Sequence, residues 1–452
     1  MQEMARPYSW LVVTLCFAFL ARIWVFVNMP PDLNGKDGFA YLNAARTLRG
    51  EKTSSYIDTV VPIPRNETMG RIVYPYFLNF AFSLSRWSPT PMRILERMKE
   101  RQPRINDDWH WHFLTTKENL RAVQLLQHLL GILATAIAFF LLWQWTKAGW
   151  LATIGSLFAV GWRPAWLFFE RCILTETLAA TLLLITVALI VQAHRYRWSP
   201  VWMVGALVAS YLLALTRPNF LFLFPLLVLY FAWHLPERYS SFIWLRRLVI
   251  VLAAFMVLIG VWKTYGAISA YHFALTPEAF EDPILRQALR ERLANNPNDS
   301  HAIYHLIPTL MKRWNATWAE THSRLREETH KALKRRPDVF VNSTLKGLAE
   351  YFFYAGISWG SLRSLISLGI ALFNVLGLAT LFSRSAPLTL RLAVFVTVCN
   401  AFACAIVIGV NADQARYAFP TESLLSIAAF WILWNYLLVR WTRSKTSTLC
   451  EP

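Results

Sequence analysis

The chain has 452 residues, of which 56% are hydrophobic, 15% aromatic and only 16% charged, well under the roughly 25% charged share of soluble domains. Its formal charge of +18 does not point to nucleic acid, because Lys and Arg sit between apolar runs and are not gathered in one soluble segment with interleaved aromatics. Cys16, Cys172, Cys399, Cys404 and Cys450 give neither a disulfide framework nor a paired zinc spacing.

A helix crossing a bilayer core needs about twenty apolar residues, since each adds about 1.5 Å and no lipid group bonds the backbone. Such stretches fall near 8–28, 121–145, 149–168, 172–192, 200–216, 219–235, 247–268, 362–382, 391–410 and 421–441. The expected fold is therefore all-α: a polytopic integral membrane protein with about ten transmembrane helices, forming one membrane domain over 1–452. The first stretch is long, lacks a clear small-residue cleavage site and heads further spans, so it reads as a retained helix. Every other connector is basic: Arg6, Lys147, Arg195 and Arg197, Arg238 with Arg246 and Arg247, Arg384 and Arg391, then Arg440, Arg443 and Lys445. That alternation puts both termini in the cytoplasm. Two long outward loops remain, 29–120 and 269–361. The first holds helix-like Gly38 to Leu48 and an interfacial run from Tyr74 to Trp87; the second holds amphipathic helices at Ala302 to Arg313 and Trp318 to Leu333.

Five places carry polar groups that could do chemistry. Asp37, just past the first span, is a carboxylate placed to take a proton from an acceptor hydroxyl, or a loop residue starting the helix that carries Tyr41. Arg71 and the segment Tyr74-Pro75-Tyr76 offer a cation and a ring platform, or a simple headgroup anchor. Thr175-Glu176 puts an acid at a span end, where it is costly unless exposed, paired or lining a cavity; Arg171 or another outward cation would make it a structural pair. Arg217, in Thr216-Arg217-Pro218, and Arg416 with Tyr417, before Pro420, are outward cations at tight junctions, suited to a phosphate or to headgroup snorkelling. Asp107, Asp108, His110 and His112, like His301 and His305, lack a recognised metal spacing. No P-loop, dinucleotide glycine fingerprint or nucleophile elbow occurs.

In order, these positions resemble the membrane glycosyltransferases of the GT-C superfamily, above all the branch of protein O-mannosyltransferases and aminoarabinose transferases. The resemblance runs over most of the chain: Arg22 near the end of the first span, Asp37 to Gly50, Arg71 with Tyr74-Pro75, Thr175-Glu176, Thr216 to Pro218, and Arg416 to Pro420. It implies a polyprenyl-phosphate sugar donor, a lipid, glycan or protein acceptor, and inversion at the anomeric carbon, either without a metal or assisted by a divalent cation. In that scheme Asp37 is the general base, Glu176 positions acceptor or sugar, and Arg217 and Arg416 bind the donor phosphate. Tyr41, Arg71, Tyr74 and Tyr417 complete the substrate site. Two features depart from the pattern: Lys36 stands beside Asp37 in place of a second acid, and Ser88 to Leu120 is a charged insertion. The absence of a large soluble appendage favours a bacterial inner membrane, with the site facing the periplasm, over the endoplasmic reticulum. A transporter or lipid flippase is the rival class; it would be expected to show an internal repeat and broken helices at mid-membrane depth, and no repeat is visible.

Overall fold

A computed structural model describes residues 2–32, 35–51, 73–87, 120–234, 250–253, 256, 268–299, 302–353, 362–408 and 414–438. Every regular element among them is helical, and the extended pairing they contain is an isolated parallel bridge between Asp32 and Cys172. The helices are α1 (Gln2–Asn28), α2 (Gly35–Leu48), α3 (Val73–Trp87), α4 (Leu120–Thr146), α5 (Gly149–Ser156), α6 (Pro164–Arg171), α7 (Glu176–Arg195), α8 (Pro200–Thr216) and α9 (Leu223–His234), then α10 (Pro283–Asn295), α11 (Ala302–Trp314), α12 (Trp318–Arg335), α13 (Pro337–Phe353), α14 (Leu362–Ala379), α15 (Leu388–Ile408) and α16 (Gln414–Ile432).

Proline sets several of the boundaries. Pro164 and Pro200 open α6 and α8 at positions where the missing amide costs nothing. Pro164 also forces Arg163 into an extended conformation, with φ −66 and ψ 123. The apolar segment expected as one helix over 149–168 is consequently two: α5, prolonged by a π turn over Leu157–Gly161, and α6, with Trp162 and Arg163 between them. Pro218 acts the same way, ending α8 at Thr216 and starting a single 3-10 turn before α9.

α4 is the central helix, packing against α1, α3, α5, α6 and α7; α7 in turn packs against α8 and α16, and α16 against α14 and α15. The shared core includes Leu141, Leu142, Trp166, Ile173, Leu183, Leu184, Phe220 and Phe419. Gly377 lets α14 lie directly on the α16 backbone, since a Cβ there would come 2.5 Å from the Leu425 carbonyl oxygen. Close approach through small residues is how helices associate when the surrounding medium is itself apolar. The outer faces fit such a medium: Phe17, Leu20, Trp24 and Val27 of α1 and Val201, Val204 and Val208 of α8 are exposed.

By length and composition four helices among the described residues can cross a membrane: Pro7–Asn28, Leu120–Thr146, Glu176–Arg195 and Leu388–Val407. Shorter apolar helices cover Gly149–Gly161, Pro200–Thr216, Pro218–His234 and Gly369–Ala379. The expected stretch 247–268 lies mostly outside the described residues. The short helices of both long connectors form where expected, as α2 and α3 in the first and α11 and α12 in the second.

α10, α11 and α12 have a hydrophobic core of their own, built from Phe273, Phe280, Leu285, Leu289, Ile303, Leu310, Trp314 and Leu325. It is tied to the bundle at the end of α15, where His272 Nε2 meets the Ile406 carbonyl at 2.9 Å and the Ser269 amide donates to Val407. α13, from the same stretch of chain, packs alongside α14, α15 and α16.

Candidate active site

Glu176 is the first residue of α7 and is fully buried. The N-terminus of a helix, with its unsatisfied amides and positive dipole end, is the favoured place for a carboxylate. Arg217 reaches it from the end of α8, because Pro218 stops the helix there and turns the chain into an extended conformation. Arg217 Nη1 lies 3.5 Å from Glu176 Oε1, and its guanidinium carbon stands 5.1 Å from the centre of the Tyr417 ring. Of the partners expected for Glu176, Arg171 or another outward cation, Arg171 pairs instead with Asp32 at 3.2 Å and the cation at Glu176 is Arg217.

From the other side come the two tyrosines of the first long connector. Tyr41 of α2 meets Tyr74 of α3 edge to face, 5.0 Å between centroids. The Tyr74 hydroxyl accepts a hydrogen bond from Gln127 Nε2 at 2.8 Å, which leaves its own proton to be donated. Burial pushes the Tyr74 phenol well above its ordinary pKa, Gln127 lowers it, and the negative charge of Glu176 raises it again, so Tyr74 remains a proton donor beside that carboxylate.

Of the eight residues expected to form the site, Glu176 pairs with Arg217, Arg217 lies over the Tyr417 ring, the Glu176 charge is felt at the Tyr74 hydroxyl, and Tyr41 packs on Tyr74. Asp37 lies in the first turn of α2, four residues before Tyr41, and Arg416 precedes Tyr417 in the first turn of α16; their side chains lie outside the description. Arg71 lies outside the described residues, as do Asp107, Asp108, His110, His112 and His301. His305 is paired with Asp299. Among the described residues no group of three or more His, Cys, Asp or Glu side chains is placed to hold a metal ion.

The connector that delivers Glu176 is pinned by residues that sequence alone did not single out. Gln127 Nε2 also donates to the Cys172 carbonyl at 3.1 Å, and backbone bonds join Asp32 to Arg171 and Ile173. One turn earlier, the buried Glu170 carboxylate takes Arg22 Nη2 at 2.6 Å on one oxygen and His128 Nδ1 at 2.7 Å on the other. Arg22 Nη1 donates to the carbonyls of Ala18 and Gly161, each at 3.0 Å. A third buried pair joins Arg163, at the break before α6, to Glu422 of α16, and Arg163 Nη1 donates to Ser426 at 2.8 Å. Beyond Arg217 a second unexpected network links four elements: Asn219 Nδ2 donates to Asn400 at 2.7 Å, Asn400 Nδ2 to the Tyr351 hydroxyl at 2.6 Å, and that hydroxyl shares a 2.6 Å bond with Thr421. Asn400 and Thr421 would show in a sequence only as polar residues inside long apolar helices, where each has to find a partner.

Three Arg–Glu pairs so deeply buried are poor evidence for stability, because desolvating two ions costs about what their attraction returns. Charges of this kind within apolar helices persist only where a partner is held beside them. Neither a scan of protein-family models nor a search of curated proteins matches this chain.

Proposed function

We propose that the chain is an inverting membrane glycosyltransferase, with about ten spans, that moves a sugar from a polyprenyl-phosphate donor to a lipid, glycan or protein acceptor at the outward face of a bacterial inner membrane. The observation that carries this reading is the buried Glu176–Arg217 pair, with Tyr417 under the guanidinium and Tyr74 within reach of the carboxylate's charge, residues drawn from distant stretches of chain.

In this scheme Arg217, with Arg416, holds the donor phosphate. Asp37 accepts the proton of the acceptor hydroxyl while its oxygen attacks the anomeric carbon from the face opposite the phosphate, which departs with the bonding electron pair. Negative charge grows on the departing phosphate, so the guanidinium groups bind the transition state more tightly than the ground state. Glu176 fixes Arg217 before the donor arrives, and the Tyr74 hydroxyl donates to a sugar or phosphate oxygen. The long apolar faces of the bundle keep the prenyl chain in lipid beside the site.

Incubating the purified protein with radiolabelled polyprenyl-phosphate sugars and a membrane extract tests the proposal. Transfer by the wild type, abolished in Asp37→Asn, is the expected result; no transfer by the wild type, or equal transfer by the variant, removes it. One observation favours the rival class of transporter or flippase: the apolar segment broken at Trp162 and Arg163, with its buried Arg163–Glu422 pair. Movement of a labelled prenyl-phosphate sugar across sealed vesicles without glycosyl transfer would select that reading.

A further inference from the structure

A separate arrangement lies at the far end of the bundle from Glu176. α4 and α7 pack side by side, and the chain returns between them through α5 and α6, so their C-terminal ends lie at the same end. The connectors that follow, Lys147-Ala148 after α4 and Tyr196 to Ser199 after α7, are very short. They carry Lys147 and Arg197, and Arg195 ends α7 beside them; all three are exposed. Lys147 Nζ donates to Gln144 at 3.3 Å and lies 5.2 Å from the centre of the Trp143 ring; the Arg195 guanidinium lies 5.7 Å from the Tyr196 ring. None of the three cations has a carboxylate within ion-pair distance among the described residues. Lys147 and Arg195 are close enough that, after burial, the neighbouring guanidinium is what pushes the ammonium's pKa down.

The backbone holds this arrangement against its own preference. Of the four non-glycine residues with positive φ among those described, three are in these connectors: Lys147 at 57°, Arg197 at 50° and Trp198 at 63°. The Trp198 ring stacks on His234 at 4.7 Å and meets Tyr230 edge to face at 5.7 Å, which clamps the second connector to the end of α9. Rings of this kind gather where a bilayer gives way to water. Away from the cations runs an apolar stripe along α8, Val201, Val204 and Val208, which are 73%, 57% and 54% exposed. Like charges gathered at a membrane boundary attract an anion, and the stripe beside them offers an acyl chain a path.

We propose that Lys147, Arg195 and Arg197 form the headgroup site of an anionic phospholipid whose acyl chain lies along Val201, Val204 and Val208. The proposal goes beyond the sugar-transfer reading and is independent of it, since it uses no residue of the Glu176 site; it depends only on the chain residing in a membrane. Attraction of such a cation to an anionic leaflet acts over no more than a Debye length, so the three have to be close to one phosphate to act together.

The test compares the full-length protein in neutral detergent with Lys147→Asn/Arg195→Gln/Arg197→Asn. Asn tolerates the left-handed backbone at 147 and 197, so charge is removed with little change of fold. Phosphatidylglycerol, phosphatidylcholine and inorganic phosphate are titrated separately while thermal unfolding is followed, and retained lipid is weighed by native mass spectrometry. Phosphatidylglycerol is expected to raise the wild-type midpoint by about 3 °C or more, with phosphatidylcholine and inorganic phosphate ineffective. The variant should keep its lipid-free midpoint and lose both the shift and the co-purified lipid. An equal shift in the variant overturns the proposal, as does an equal effect of phosphatidylcholine. A matching effect of inorganic phosphate would make this an anion site without lipid and overturns it too. A variant that melts earlier while keeping the full lipid shift would show that the cations only complement two helix C-termini, and that result likewise rules out the lipid site.

Discussion

Gly131 lies so close to Glu170 that a methyl group in its place would overlap the carboxylate, and would stand 2.5 Å from Arg22 Nη2. The room at Gly131 is what lets Arg22 and His128 close on one carboxylate between α1, α4 and α6. Gly131→Ala is expected to push that carboxylate off its partners and to lower stability by about 2–4 kcal/mol, the joint effect of overpacking and of a loosened buried pair. Thermal unfolding in detergent reads the loss; an unchanged midpoint would mean that the triad shifts at little cost.

Glu176 and Arg217 should behave as a unit. A double-mutant cycle with Glu176→Gln and Arg217→Gln is expected to give a coupling of about 1–3 kcal/mol in unfolding free energy, because either single change leaves one buried ion without its partner. Additive effects would show that the 3.5 Å approach is incidental. In the transfer assay Arg217→Lys is expected to lose at least about tenfold, since an ammonium cannot reproduce a planar fork stacked on Tyr417.

His272 gives the outer assembly a pH dependence of known sign. Burial pulls its pKa from 6.5 down to about 4, the hydrogen bond to the Ile406 carbonyl opposing the change only in part. The folded protein therefore keeps this ring neutral where the unfolded chain takes up a proton. Stability is full above about pH 6.5 and falls as the pH drops toward about 4, by up to about 3 kcal/mol from this group. His272→Gln should flatten the profile across that interval. A wild-type profile already flat over the same interval would contradict the prediction.

Asp282 is the polar centre of the α10–α12 assembly. Burial alone would raise its pKa, but the Leu285 amide and the Arg324 guanidinium hold it below the usual carboxylate range. It accepts from Leu285 N at 2.8 Å as the cap of α10, from Arg324 at 2.6 Å and from Trp314 Nε1 at 3.3 Å. Asp282→Ala should cost about 2–3 kcal/mol, a lost cap plus an indole donor left buried. Hydrogen exchange should accelerate over 283–295 and 302–314 while α4 and α7 stay protected. Acceleration throughout the bundle would mean that the two cores unfold together.

Much of the helical plan was legible because an apolar run of about twenty residues leaves the backbone no other way to satisfy itself. α4 and α8 fall within a residue or two of the stretches expected for them, and the amphipathic α11 and α12 follow from their 3.6-residue period. The break at Trp162 was missed although Pro164 announces it, because hydropathy averages over a single backbone constraint. At the site, Glu176 and Arg217 stood out as charges at span junctions, where few can be tolerated. Glu170, Gln127, His128 and Asn400 did not, since a polar residue within or at the end of an apolar helix acquires meaning only when its partner on another helix is known. Arg22 drew attention through a resemblance, and its contact with Glu170 is a matter of tertiary packing alone.

The three buried Arg–Glu pairs also bear on how the bundle meets a membrane voltage. One elementary charge carried across a full bilayer couples to 100 mV by about 2.3 kcal/mol. Arg22, Arg163 and Arg217 would each couple to the part of the field they moved through if isolated, yet each is paired with Glu170, Glu422 or Glu176. When the two elements of a pair move together, the electric field therefore acts on these six side chains as three small dipoles whose opposing forces cancel, and such a movement involves almost no gating charge.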